Sequence, residues 1–182
     1  DGPMSYLELG FGQGLSVTIH AAATGGRFWG TDFNPSHVSN AHSLAKASGA
    51  NLTVLENSFE ELAARDDLPM FDIIALHGTW SWISPANRAC IVSIARRFLK
   101  PGGIFYISYN VTPGWSPAMP LHHLVREHAK IFSHEKIVDQ INNAVDFAQR
   151  LADAGALYFK VNPAVVKRIE KLKGQSRTYL AH

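Results

Sequence analysis

The sequence predicts an α/β protein, a doubly wound parallel sheet with helices on both faces. Three observations predict it. Apolar runs of strand length alternate with helix-compatible segments from residue 6 to residue 109. The first run breaks into glycines at alternate positions, Gly10, Gly12 and Gly14, and then enters a helix. The second ends in a carboxylate, Asp32, roughly 20 residues after the turn, the spacing of an acid that binds a ribose.

Each element has its own justification. Residues 6–9 form the first strand and 16–23 a short helix that Thr24-Gly25-Gly26 stops. Residues 27–32 form the second strand, and Asn34-Pro35 suits an N-cap and first helical turn. The next helix, 36–47, carries Val38, Ala41, Leu44 and Ala45 at helical spacing and ends at Gly49. A third strand, 51–56, leads to a short helix at 60–64. Residues 71–76 are a continuous apolar run of the kind a strand covered on both faces shows. Ser84-Pro85 opens a helix with Ile91, Ile94, Ala95 and Phe98 on one face; Lys100-Pro101-Gly102-Gly103 closes it before a fifth strand at 104–109.

The remainder reads differently. Helices are expected at 121–132, 135–154 and 163–173, the second with Ile137, Ile141, Ala144, Ala148 and Leu151 on one face, and only residues 157–161 have strand character. The chain therefore divides into a ligand-binding core, 1–120, and a helical segment, 121–182, that reads as a lid or insertion. The opening on Asp1 suggests a piece of a longer protein.

Composition narrows the function. The chain has 182 residues, 46% of them hydrophobic, enough for a real core, and no run approaches the ~20 apolar residues of a membrane span. A formal charge of +2 gives no case for nucleic acid. The single cysteine, Cys90, excludes an internal disulfide framework, and with no signal peptide visible a cytoplasmic setting is the default.

The glycine turn does not match the dinucleotide fingerprint, whose third glycine would fall on Leu15. It reads Glu8-x-Gly10-x-Gly12-x-Gly14, and in this it resembles motif I of the Rossmann-like, class I S-adenosylmethionine-dependent methyltransferases. The resemblance implies that Glu8 and the three glycines hold the methionine end of the cofactor. Asp32 then takes the ribose and Phe33 lies against the adenine. At Asn57-Ser58-Phe59 the family often has an acid touching the adenine amino group. Here Ser58 accepts that hydrogen bond, or the backbone of Ser58 and Phe59 makes it; equally, Ser58 caps the following helix with Glu61 as its capping-box partner.

The fourth-strand exit, His77-Gly78-Thr79-Trp80-Ser81-Trp82, and the fifth-strand exit, Tyr109-Asn110-Val111-Thr112-Pro113-Gly114-Trp115, resemble a narrower group of methyltransferases with a separate regulatory domain. Some of that group are protein-lysine methyltransferases. The resemblance covers most of residues 6–120 and implies a methyl acceptor, a protein lysine or a small molecule, and a C-terminal regulatory domain in the full-length chain. In that family a helical insertion follows the fifth strand, and an antiparallel hairpin that finishes the sheet comes later; no such hairpin is visible here.

Methyl transfer is a direct displacement, so alignment and exclusion of water supply the acceleration. A lysine acceptor, with an ordinary pKa of about 10.4, must lose a proton first, and His77 and Tyr109 are the candidates to assist. His77 has two other readings, a bond to the cofactor's methionine end or to strand-end backbone. Trp80, Trp82 and Trp115 are the candidate substrate walls, with the expectation that one lines the mouth and two pack the structure. His122, His123 and His128 lack the i, i+4 spacing of a helical metal pair and read as a solvated face, so no metal site is expected. Lys167, Arg168, Lys171, Lys173 and Arg177 read as a charged helix exterior. Two rivals stand: an NAD(P)-dependent oxidoreductase, and a non-catalytic module that keeps the fold for binding.

Overall fold

The computed structural model describes residues 2–174, in two compact units that divide between Asn110 and Val111. The first holds β1 (Met4–Leu9), α1 (Leu15–Ala23), β2 (Gly26–Asp32), α2 (Pro35–Ser48), β3 (Leu52–Glu56), α3 (Phe59–Ala64), β4 (Phe71–Leu76), α4 (Pro85–Phe98) and β5 (Leu99–Ile107). The strands pair in the order β3-β2-β1-β4-β5, all parallel. The chain reverses its winding between β1 and β4, so the cleft of such a sheet lies at the carboxyl ends of those strands.

Side-chain alternation on β1 sorts the two layers. Leu7 and Leu9 point into one core with Leu62, Phe71, Ile74, Leu76, Ile91, Ile94 and Phe98. Tyr6 joins the opposite core with Phe11, Val17, Ala21, Phe28, Val38, Ala41 and Ala75. Each fully buried Leu, Ile or Phe contributes about 1.5–3 kcal/mol, so these layers dominate the stability of the unit. The helix signals operate as expected: Asn34 accepts from the Ser36 amide, Ser84 from the Asn87 amide, and Gly49 ends α2 at φ 66°.

One boundary differs from expectation. Lys100-Pro101-Gly102-Gly103 does not separate α4 from the last strand but lies inside β5, which starts at Leu99. Leu99 pairs with Phe71 while Ile104 pairs with Ile73, so the four residues are absorbed as a bulge. Gly102 takes φ 78°, and a Cβ on Gly103 would lie 2.9 Å from the Asp72 carbonyl. Lys100 reaches back to place Nζ 2.8 Å from both Asp72 carboxylate oxygens, whose other partners are the Ser5 amide and hydroxyl. This network ties β1, β4 and β5 together at the amino-terminal end of the sheet.

The second unit is helical: a short 3-10 turn (Ser116–Ala118), α5 (Met119–Ile131), α6 (Ile137–Asp153), α7 (Leu157–Val161) and α8 (Pro163–Gly174). Leu121, Val145, Ala148, Phe159, Val165 and Ile169 form its core. The strand expected at 157–161 is a helix instead. Its aromatic and β-branched residues favour a strand locally, but a single helical turn buries Phe159 and lets the Tyr158 hydroxyl donate to the Pro117 carbonyl (2.5 Å) and accept from the Leu121 amide (3.2 Å). Lys173 of the basic face pairs with Asp146 at 3.2 Å; Arg177 and the ending 177–182 fall outside the described residues. Among the described residues no helix is long and apolar enough to cross a membrane.

Candidate functional site

Gly10, Gly12 and Gly14 all adopt left-handed backbone, with φ of 64°, 58° and 75°. Their reasons differ. A Cβ on Gly14 would stand 2.5 Å from the Ala41 Cβ, so this glycine lets α1 start against α2. A Cβ on Gly12 would enter open space, and one on Gly10 would meet Thr79 and Phe59 at 3.3 and 3.6 Å. The turn's amides are largely satisfied from within. Those of Gly10 and Phe11 donate to the Thr31 carbonyl, that of Gly14 to the Phe11 carbonyl, and that of Gly12 to Asp32 Oδ2 at 2.9 Å. Few donors remain in the turn for a pyrophosphate, whereas the space beside Gly12 is open.

Asp32 ends β2, buried, and holds the neighbouring backbone: besides Gly12, the Asn34 amide donates to Oδ1 (2.9 Å), and His37 Nδ1 lies 3.2 Å from the same oxygen. A carboxylate offers about four acceptor positions, so one is left for a ligand hydroxyl. Phe33 follows with two-thirds of its surface exposed, an aromatic plate that the interior does not use. Ser58 caps α3 in a full capping box, its hydroxyl accepting from the Glu61 amide (3.2 Å) and its own amide donating to the Glu61 carboxylate (2.7 Å). Phe59 is half-buried against the core and lies beside Gly10.

Glu8 is the most unusual group. It is buried on β1, in register with Gly30 of β2 and Ala75 of β4. The Tyr6 hydroxyl donates to its Oε2 at 3.0 Å. Burial pushes the Glu8 carboxyl above its ordinary range, opposed by the Tyr6 hydrogen bond, by His20, by a weaker contact with the Ser16 hydroxyl and by His77. Among the described residues no lysine or arginine pairs with it. Tyr6 is pushed up in turn by burial and by Glu8.

The exits of β4 and β5 are stitched together. The Gly78 amide donates to Ser108 Oγ (2.7 Å) and the Asn110 amide to Ser81 Oγ (2.8 Å). His77 is exposed, its Nδ1 3.3 Å from Ser108 Oγ and 3.4 Å from the Tyr106 hydroxyl, with its ring parallel to Tyr106. Tyr109 is more than half exposed. The tryptophans separate: Trp80 packs on the core with Arg88 5.4 Å above its ring, Trp82 is 56% exposed, and Trp115 belongs to the helical unit, under Arg168 at 4.1 Å and beside His122. The three histidines of α5 go to separate surroundings, His123 near Glu127 and His128 between Phe132 and Phe147.

Sequence reasoning missed Tyr6, Ser16, His37, Tyr106 and Ser108. A signal existed for two of them: Tyr106 lies on β5 and Ser108 two residues later, just past its end, and Tyr106 pairs with Ala75, which pairs with Glu8. Strand period alone puts them on the Glu8 face.

Comparison with known proteins agrees with this geometry. Residues 7–103 match the family described as a methyltransferase domain. The chain belongs to that family. Its fold is that of the Rossmann-like class I S-adenosylmethionine-dependent methyltransferases. An uncharacterized protein of Synechocystis sp. is 43% identical over 98% of this chain and 35% of its own length, and one of Rickettsia prowazekii is 30% identical over 70% of this chain and 23% of its own. The chain thus spans about a third or less of these relatives. Among solved structures, PKMT2 from Rickettsia typhi in complex with AdoHcy superposes at a TM-score of 0.64, 20% identical, over 99% of this chain and 34% of that one.

Proposed function

We propose that the sheet unit binds S-adenosylmethionine across the carboxyl ends of β1, β2 and β3 and directs its methyl group to a nucleophilic acceptor, a protein lysine foremost. The observation that carries this reading is Glu8, a buried carboxylate beside the open glycine turn that has hydroxyl donors and, among the described residues, no lysine or arginine partner. Such a group suits a ligand that brings its own positive charge, as an α-ammonium does. Asp32 offers its remaining lone pair to the ribose and Phe33 its face to the adenine. The Ser58 amide is committed to Glu61, so the adenine edge falls to the first-turn amide of Phe59 or to the second lone pair of the Ser58 hydroxyl, whose first accepts from the Glu61 amide. Gly10, Gly12 and Gly14 keep the turn clear and the helices close.

When bound, the cofactor supplies a methyl group on a sulfonium, ready for displacement. The chain's own part is positioning and proton handling. With His77 Nδ1 beside Ser108 and Tyr106, Nε2 is the nitrogen left to take a proton from an acceptor. Tyr109 and Trp82, both exposed near these exits, are proposed to meet the acceptor, and Trp80 supports the loop; Trp115 lies in the helical unit. The protein-lysine class is supported by the His-Gly-x-x-Ser-Trp and Tyr-Asn-x-x-Pro-Gly-Trp stretches and by the likeness to PKMT2; a small-molecule amine is the alternative. A C-terminal regulatory domain in the full-length protein and a cytoplasmic setting, in keeping with the free Cys90, belong to the same proposal.

Calorimetric titration with S-adenosylmethionine, S-adenosylhomocysteine and NAD tests it. Micromolar binding of the two adenosyl compounds without NAD is expected; NAD binding alone would overturn the reading in favour of an oxidoreductase. With labelled S-adenosylmethionine and protein substrates, His77→Ala is expected to slow transfer about a hundredfold with cofactor affinity retained. Cofactor binding with no transfer to any acceptor by the full-length protein would favour a binding module.

A further inference from the structure

We propose that Tyr6 is a positioning residue: its hydroxyl holds the Glu8 carboxylate ready to receive the α-ammonium of the cofactor, so that binding releases a proton from the pocket to solvent. The inference rests on the S-adenosylmethionine reading above. It begins from a tyrosine whose hydroxyl the core does not need. Tyr6 packs its ring on Phe28 (5.3 Å between centroids) and under His20 (5.8 Å), contacts that a phenylalanine would make equally. A buried hydroxyl needs a partner, and this one finds Glu8 two residues along the same strand face, at 3.0 Å.

Among the described residues the pair faces no lysine or arginine. From α1, Ser16 and His20 face Glu8; from the β4 exit, His77; from β5, Tyr106 acts on Tyr6. In register beside Glu8, β2 brings only Gly30 and β4 only Ala75. Burial raises the carboxyl, so the ligand-free pocket carries a proton on Glu8 to higher pH than an exposed glutamate would. When an ammonium enters, the Glu8 O–H bond breaks, the proton passes to buffer, and an N–H⁺···O⁻ hydrogen bond forms in its place. The Tyr6 hydroxyl donates to Glu8 Oε2 before and after, and the bond is stronger to the charged form, which it favours. No electron changes hands.

The test is calorimetric titration of the wild type, Tyr6→Phe and Ser16→Ala with S-adenosylhomocysteine and with methylthioadenosine, which lacks the amino-acid end. Titrations run between about pH 5 and 9 in buffers of different ionisation enthalpy. The wild type is expected to release protons on binding S-adenosylhomocysteine and none on binding methylthioadenosine. Tyr6→Phe is expected to weaken S-adenosylhomocysteine about tenfold, to move the acid limb of its affinity to higher pH, and to leave methylthioadenosine unchanged. Ser16→Ala shifts the limb in the same direction by less. An unaltered pH profile and proton count in Tyr6→Phe, or equal weakening of both compounds, would make the tyrosine purely structural and overturn the inference. Binding of neither compound to the wild type would sink the cofactor reading itself, an outcome distinct from either.

Discussion

Asp72 and Glu8 lie on adjacent central strands of one sheet, at opposite ends, and their surroundings are inverted. Asp72, toward the amino-terminal end, is partly exposed, takes two hydrogen bonds from Ser5 and is clasped by Lys100, which with Ser5 holds its carboxyl well below the usual range. Glu8, toward the carboxyl end, is buried, has hydroxyl donors and no lysine or arginine among the described residues, and is pushed the other way. The amino-terminal end is therefore finished by its own residues, while on the proposed reading the Glu8 carboxylate at the carboxyl end meets the charge of a ligand.

The contrast predicts opposite responses. Glu8→Gln is expected to weaken S-adenosylhomocysteine about a hundredfold in calorimetry, since a buried charge facing a cation is lost. It is also expected to raise the melting temperature of the ligand-free protein. The sign follows from linkage: a carboxyl raised in the fold gives its full stabilisation below the ordinary glutamate value of about 4.3, and loses it as pH rises through the raised value. The gain from Gln thus grows with pH, which melting curves across pH check.

The glycine turn repeats the contrast on a smaller scale. Gly14→Ala combines left-handed backbone with a clash on Ala41 and is expected to cost about 3 kcal/mol in denaturant unfolding. Gly12→Ala meets no neighbour, and is expected to cost about 1 kcal/mol while its Cβ blocks the open space and weakens the cofactor at least about tenfold. Ser58→Ala removes a helix cap, an expected loss of about 1 kcal/mol, with cofactor affinity unchanged if the Phe59 amide takes the adenine edge. A drop in affinity there would return the adenine contact to the serine hydroxyl.

Asp72→Asn is the smallest change. It is expected to lower the melting temperature by a few degrees at neutral pH and leave cofactor affinity alone. Because the folded carboxyl is depressed, its contribution is present above the ordinary aspartate value of about 3.9 and fades as pH falls below it. Wild type and variant should converge in acid, the reverse of the Glu8 pair.

Much of this was legible beforehand because it is local. Caps at Asn34, Ser58 and Ser84, the left-handed glycines and the carboxylate ending β2 depend on a few consecutive residues. What stayed hidden needed partners far along the chain. Residues 157–161 have strand composition and fold as a helix because Phe159 and Tyr158 find their contacts that way. The Lys100-Pro101-Gly102-Gly103 stretch looked like a loop and is a bulge because β4 continues to pair beside it.

The alternating α/β class, the glycine turn, the acid after β2 and the family follow from the order of residues alone, since periodicity and spacing are properties of neighbours. What those residues face depends on the folded chain: that Ser58 caps α3, that Gly14 serves packing, that His77 sits with Tyr106 and Ser108, and that Glu8 meets Tyr6 and no lysine or arginine among the described residues. Burial and charge pairing arise from strands that meet across tens of residues, and those meetings set which groups are satisfied and which are left to bind.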